Sequence, residues 1–176
     1  SNYVNSKILD AILHTKGNFL AWQGKPINAV YHANNGGIMA SIDEAWKVNK
    51  EPYFKSRIDS IKNVLLGFKL PFQSNLEIQR FLKSDKTNYL GFDHPKFRWN
   101  KILTESYIAN ALNDSSLKIL DVKVNSRGKS GRVIDLEIVA LNSGKSINLK
   151  LDEIRKKLRI LPSTLFTVKK YNTKSW

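Results

Sequence analysis

Apolar side chains recur at helical spacing over residues 7–16 (Lys7-Ile8-Leu9-Asp10-Ala11-Ile12-Leu13-His14-Thr15-Lys16). The spacing predicts a short helix that Gly17 ends. Asn18–Gln23 and Pro26–His32 then read as two strands joined by a Gly24-Lys25 turn. In a regular strand Ala29 and Tyr31 would face one way, Val30 and His32 the other. Asn34-Asn35-Gly36-Gly37 is a strong turn signal, because Asn and Gly tolerate positive φ. Ser41 stands three residues before Glu44, which predicts a capping box on a short helix running to Trp46. A loop follows at Lys50–Tyr53, carrying Pro52.

Residues 54–74 show no clear period. Leu76–Lys83 reads as a helix, Ser84–Pro95 as a polar loop, and Leu103–Leu112 as a helix with Thr104 as a cap. The last third changes character. Leu117–Asn125 and Arg132–Ala140 alternate apolar and polar residues, as half-buried strands do. Asn142-Ser143-Gly144-Lys145 reads as a hairpin turn into a strand at Ser146–Leu151. Asp152–Leu158 is a short helix with a basic face (Arg155, Lys156, Lys157), and Thr164–Lys170 a final strand. The predicted class is α+β with a mainly antiparallel sheet and several short helices. The 176 residues suit one domain, with sub-regions at 3–60, 61–114 (mostly helical) and 115–176 (β-rich).

Composition narrows the chemistry. Hydrophobic residues make up 41% and charged residues 25%, which is ordinary globular usage and long enough to bury a core. With no cysteine, disulfides and Cys-based zinc sites are excluded. No apolar run reaches the roughly 18 residues of a membrane span, and no signal peptide is visible. The net charge of +14 favours polyanionic partners such as nucleic acid, anionic lipid or an anionic cell wall, or else is a plain soluble basic surface. Lys and Arg are spread along the chain, and no RNP-like strand or zinc finger is present, so nucleic-acid binding rests on charge alone.

His14, His32 and His94 lie far apart and in no ligand spacing, so no metal site and no cofactor are expected from them. Walker, Gly-x-Gly-x-x-Gly and Gly-x-Ser-x-Gly motifs are absent. The segment Tyr31-His32-Ala33-Asn34-Asn35-Gly36-Gly37 is the most distinctive. Paired glycines let backbone approach a ligand, and His and Asn side chains hydrogen-bond sugar hydroxyls or acetamido groups. Trp46 and Tyr53 follow and are placed to stack on sugar rings. A tight turn over core aromatics is the competing reading.

The same residues resemble the SpoIID/LytB family. Gly24-Lys25-Pro26-Ile27-Asn28-Ala29-Val30-Tyr31-His32, then Gly36-Gly37, Trp46 and Pro52-Tyr53, are similar to its G-x-P-I-x-A-x-Y-H-S-x-S-G-G stretch and the Trp and Pro-Tyr beyond it. Ile8–Ile12 with Thr15-Lys16-Gly17 resembles the lead-in. Phe97-Arg98-Trp99, Ser130-Gly131-Arg132-Val133, Ile154-Arg155 and Leu161–Phe166 resemble later blocks, in order. The resemblance runs from about residue 8 to 168. It implies a SpoIID-like fold and remodelling of peptidoglycan glycan strands outside the cytoplasm. Cleavage of the MurNAc–GlcNAc linkage would be of the lytic transglycosylase type. A non-catalytic wall-binding or amidase-enhancer module is the alternative, with a cell-wall amidase as a further partner.

Such cleavage needs a carboxylic acid of raised pKa. The resemblance places it in an upstream helical block that nothing in residues 1–16 matches. The catalytic acid is therefore expected ahead of this chain, and these residues by themselves are expected to be inactive. Asp43, Glu44 and Asp59 are equally well explained by capping and solvation. The implied glycan-lining residues are Tyr31, His32, Asn34, Asn35, Gly36 and Gly37, with Trp46 and Tyr53 supporting. Arg132 and Arg155 would meet muramyl carboxylates or form ordinary ion pairs. Three departures stand out: Ala33-Asn34-Asn35 replaces Ser-x-Ser, Met39 replaces a threonine, and the cysteines with which some members bind zinc are missing.

Overall fold

The computed structural model describes residues 5–61, 67–72, 74–141 and 144–176. It has the predicted α+β class, with short antiparallel sheets and short helices. The chain divides into two compact units, residues 1–32 and 33–176. In the first, α1 (Ser6–Thr15) starts at Asn5, whose side chain accepts from the Lys7 amide at 3.0 Å. Gly17 (φ 81°) lies just beyond the end of the helix. The hairpin that follows is shorter than predicted. β1 (Ala21–Trp22) pairs with β2 (Lys25–Pro26). The turn is Gln23-Gly24, one residue earlier than expected, because these are the two positions with positive φ (50° and 76°) that a tight hairpin requires. Residues 27–32 form no strand.

The second unit holds two cores. The larger sits under the antiparallel sheet of β5 (Ile119–Arg127), β6 (Val133–Ala140) and β7 (Ser146–Lys150), in that order. Its register aligns Lys123 with Glu137 and Ile138 with Ile147. Val133, Leu136, Ile138 and Ala140 of the central strand pack with Ile108 and Ala109 of α4 (Glu105–Ala111). Ile154 of α5 (Glu153–Lys157) and Leu158 complete this layer. Each of the valine, leucine and isoleucine side chains stabilises by about 1.5–3 kcal/mol when fully buried. Thr104 caps α4 as predicted, accepting from the Tyr107 amide at 3.2 Å. Trp176, only 6% exposed, closes the same core, and its backbone exchanges two hydrogen bonds with Leu103.

The smaller core is aromatic. Ile38 of β3 (Ile38–Met39), Phe81 of α3 (Asn75–Lys83), Tyr89, Phe97 and Leu165 are buried together. β3 pairs with β4 (Arg57–Ile58). Ser74 caps α3, accepting from the Glu77 amide. The stretch read as a polar loop contains a 3₁₀ turn (Lys86–Asn88) and then Tyr89, which has no exposed surface. Polar neighbours hid this anchor from a composition-based reading. Its ring stands 5.3 Å from Phe81 and 6.0 Å from Phe97, within the range of favourable aromatic pairs.

Two expectations fail here. The predicted strand at Thr164–Lys170 is not part of the sheet. Its ties to β5 come from long side chains rather than a backbone ladder: Arg127 Nη1 donates to Phe166 O (2.9 Å) and Lys170 Nζ to Leu120 O (3.2 Å). The Ser41–Glu44 capping box does not form on α2 (Ile42–Ala45). Ser41 makes no side-chain cap, and the Glu44 carboxylate is drawn to other donors. Residues 142 and 143 of the predicted hairpin turn lie outside the described residues.

Candidate functional site

The turn at residues 34–37 is built by its own asparagines. Asn34 Oδ1 accepts from the Gly36 amide and Asn35 Oδ1 from the Gly37 amide, each at 2.8 Å. These side chains mimic a backbone turn, which is why Asn is favoured here. The amide groups then reach outward: Asn34 Nδ2 donates to Gly91 O (2.9 Å) and Asn35 Nδ2 to Asp59 Oδ2 (2.6 Å). Gly36 and Gly37 hold φ of 69° and 85°. A Cβ on Gly37 would lie 2.8 Å from the Tyr89 ring, and one on Gly36 3.3 Å from Leu165 Cδ2. The glycines are therefore needed for conformation and for close packing onto the aromatic core.

Two arginines hold the turn from distant points in the sequence. Arg98 Nη1 donates to Gly36 O (2.6 Å), its Nε donates to Leu82 O (3.0 Å), and its guanidinium carbon lies 4.2 Å from the Phe97 ring centroid. Arg132 Nη2 donates to Asn35 O (2.8 Å) and Ile38 O (3.1 Å). A third, Arg127, donates to Gly131 O and Phe166 O at 2.8 and 2.9 Å. Burial lowers all three guanidinium pKa values to about 10, which leaves them charged at neutral pH. For Arg132 the nearby Glu44 carboxylate opposes that lowering and the Arg155 cation adds to it. Backbone carbonyls and the Asn75 side-chain oxygen, rather than carboxylates, accept these guanidinium hydrogens among the described residues. In a chain without disulfides, the planar five-donor fork thus ties remote segments together.

Beside the turn lies a buried acid. The β5–β6 hairpin turns tightly at Gly128–Gly131, with the Gly131 amide on Gly128 O at 2.9 Å. That turn aims Ser130 at α2. The Glu44 carboxylate, 5% exposed, accepts from the Ser130 hydroxyl, from the Ser130 amide (3.2 Å to Oε2) and from Ser56 Oγ (3.2 Å). Ser56 Oγ in turn accepts from the Ser41 amide at 3.0 Å. This network is what draws Glu44 away from the capping box. Any Cβ at Gly128 would run into the Glu44 side chain. Neighbouring Asp43 has a buried Oδ1 with no hydrogen-bond partner among the described residues. Glu44→Gln is expected to lower stability by about 2–3 kcal/mol, because it leaves one acceptor oxygen where two hydroxyls each had their own and removes an anion beside a buried cation. Urea denaturation checks this, and an unchanged midpoint would mean the carboxylate carries no structural role.

The predicted site residues divide. Asn34, Asn35, Gly36, Gly37 and Arg132 come together as one hydrogen-bonded group, largely turned inward. Arg155 is exposed but close enough for its charge to be felt at Arg132. Trp46 follows α2 with 40% of its surface exposed, and Tyr53 is half-buried against Phe54, ring centroids 4.8 Å apart. Tyr31 and His32 end the first unit with exposed side chains, Tyr31 at 91%. Among the described residues no His, Asp or Glu cluster forms a metal site, and no helix is long and apolar enough to cross a membrane. Sequence reasoning missed the partners of Glu44. Ser130 carried a signal as part of Ser-Gly-Arg, whereas Ser56 carried none.

No curated protein and no solved structure matches the chain. The family model described as a domain of unknown function, DUF8618, matches residues 40–176. That span contains Glu44, Arg98, Ser130 and Arg132, and with well over half of its length matched, the chain belongs to the DUF8618 family.

Proposed function

We propose that residues 33–176 hold a peptidoglycan glycan strand, outside the cytoplasm, for remodelling of the lytic transglycosylase type. The supporting observation is the convergence of sequence blocks on one turn. Arg98 and Arg132, 62 and 97 residues from their acceptors, both bond the Asn35-Gly36 backbone. Leu165 packs against Gly36 and Ser130 bonds the Glu44 that follows. Blocks whose order in the chain resembles the SpoIID/LytB family therefore meet in space. On this reading the buried node is a scaffold, and exposed Trp46 and Arg155 are the groups offered to a sugar ring and a carboxylate.

The locked state of Glu44 favours a binding role for these residues over proton donation. Its carboxylate is already held by two serines and is closed to solvent. The acid for MurNAc–GlcNAc cleavage is assigned to the block that the resemblance places N-terminal to Ile8. A non-catalytic wall-binding or amidase-enhancing module would use the same surface.

Co-sedimentation with purified, teichoic-acid-free peptidoglycan tests the proposal. The chain is expected to pellet with the glycan at physiological salt. Trp46→Ala is expected to reduce affinity about five-fold, the loss of roughly one stacking contact, with the unfolding midpoint unchanged. Binding to duplex DNA with a steep salt dependence and none to glycan would overturn it, leaving charge as the only determinant of partner.

A further inference from the structure

A trough of about 370 Å³ lies beside β5, lined by Val122–Asn125 and Arg127, by Thr167 and Val168, and by Asn75 and Gln79 of α3. Four consecutive strand residues line it. Since alternate side chains of a strand point to opposite faces, a cavity touching all four runs along the strand's edge and meets its backbone. Among the described residues β5 pairs with β6 alone, so this edge is open. The 166–170 segment lies beside it, its order opposite to that of β5: Phe166 is tied to Arg127 at one end and Lys170 to Leu120 at the other. Both ties are made by long cationic side chains reaching across a gap. Below, Val122 is buried in the larger core, with Val124, Phe166 and Val168 packed against it, so the gap has an apolar floor.

Its charge is one-sided. Arg127 and Lys123 line the trough and no Asp or Glu does. Arg127 spends Nε on Asn75 Oδ1 and Nη1 on two carbonyls, while Nη2 has no acceptor among the described residues. Lys123 is 56% exposed, with only a 4.0 Å approach to Asp121 Oδ2. We propose that this gap receives an extended acidic segment of a partner protein, which adds as a strand to β5 with its carboxylates facing Lys123 and Arg127. Main-chain bonding to an open edge supplies affinity in this mode, and side-chain pockets supply selectivity. A second copy of this chain is disfavoured by its net charge of +14. A glycan lacks the regular row of peptide groups that an edge strand matches. The inference does not depend on the glycan reading, which concerns the turn at residues 34–37.

The test uses the whole chain, isotopically labelled, and three probes. The first is a short end-blocked peptide of alternating threonine and glutamate. The second is the same peptide with alternate backbone nitrogens methylated, and the third is a soluble glycan-strand fragment. The first peptide is expected to shift the amide resonances of Val122–Asn125 and to slow by about ten-fold or more the hydrogen exchange of those among them that β6 leaves unpaired. Lys123→Glu is expected to weaken binding by about ten-fold, as reversal of a close charge does, and the methylated peptide to bind correspondingly worse. Equal binding of the methylated peptide, unprotected amides at 122–125, or occupation of the trough by the glycan fragment in place of peptide would each overturn the proposal.

Discussion

Replacing Arg132 with methionine is expected to destabilise residues 33–176 by about 3–5 kcal/mol, the range for breaking one partner out of a buried charged group. The side chain is 8% exposed, and its Nη2 satisfies Asn35 O and Ile38 O, the carbonyls on either side of the paired glycines. Its loss strands those acceptors and leaves the Glu44 carboxylate without the nearby cation. Lysine should recover less than half of the loss, because a compact, strongly hydrated ammonium costs more to bury than a guanidinium. Combining Arg132→Met with Glu44→Gln should cost less than the sum of the two, since each removes the other's reason for being paired. Urea unfolding of the three single variants and the double variant provides the measurement. An Arg132→Lys midpoint equal to that of the parent would show that any buried cation holds the turn as well as the guanidinium does.

The second large effect is expected at Gly37. Alanine there must adopt φ near 85° and bring its Cβ to 2.8 Å from the Tyr89 ring. The left-handed conformation costs about 1–2 kcal/mol and the overpacking about 1–3 kcal/mol more. Gly144→Ala is the matched control: φ is 62° but no atom of the described residues lies within 4 Å of the added carbon, so only the conformational cost should remain. Tyr89 cannot easily yield, because Phe81 and Phe97 flank it and its hydroxyl lies 2.7 Å from Ser84 Oγ. Equal losses at Gly37 and Gly144 would show that the aromatic core gives way freely.

The Asn-Asn-Gly-Gly turn is a keystone of packing. On the proposed glycan reading, the groups open to a ligand are exposed ones such as Trp46, and not the turn's buried amides and carbonyls. Ligand binding and stability should then separate, with Trp46→Ala affecting the first and Gly37→Ala the second.

Local signals in the sequence determined a good deal. Positive-φ residues marked the turn at 34–37. Alternating patterns marked β5 and β6, and Thr104 and the 3.6-residue period marked α4. Each depends on neighbours within a few residues, so each is written in the local order of side chains. The tertiary structure alone decided where the polar groups found partners. Glu44 looked like half of a capping box, but Ser130, 86 residues later, supplies stronger donors inside the core. Thr164–Lys170 has strand-like alternation, yet whether it joins a ladder depends on its separation from β5, which packing of the larger core sets. Tyr89 sat in a polar stretch and became the centre of an aromatic cluster. Hydrogen bonds and burial act through space, and a linear pattern carries no record of which distant segments a fold brings within 3 Å.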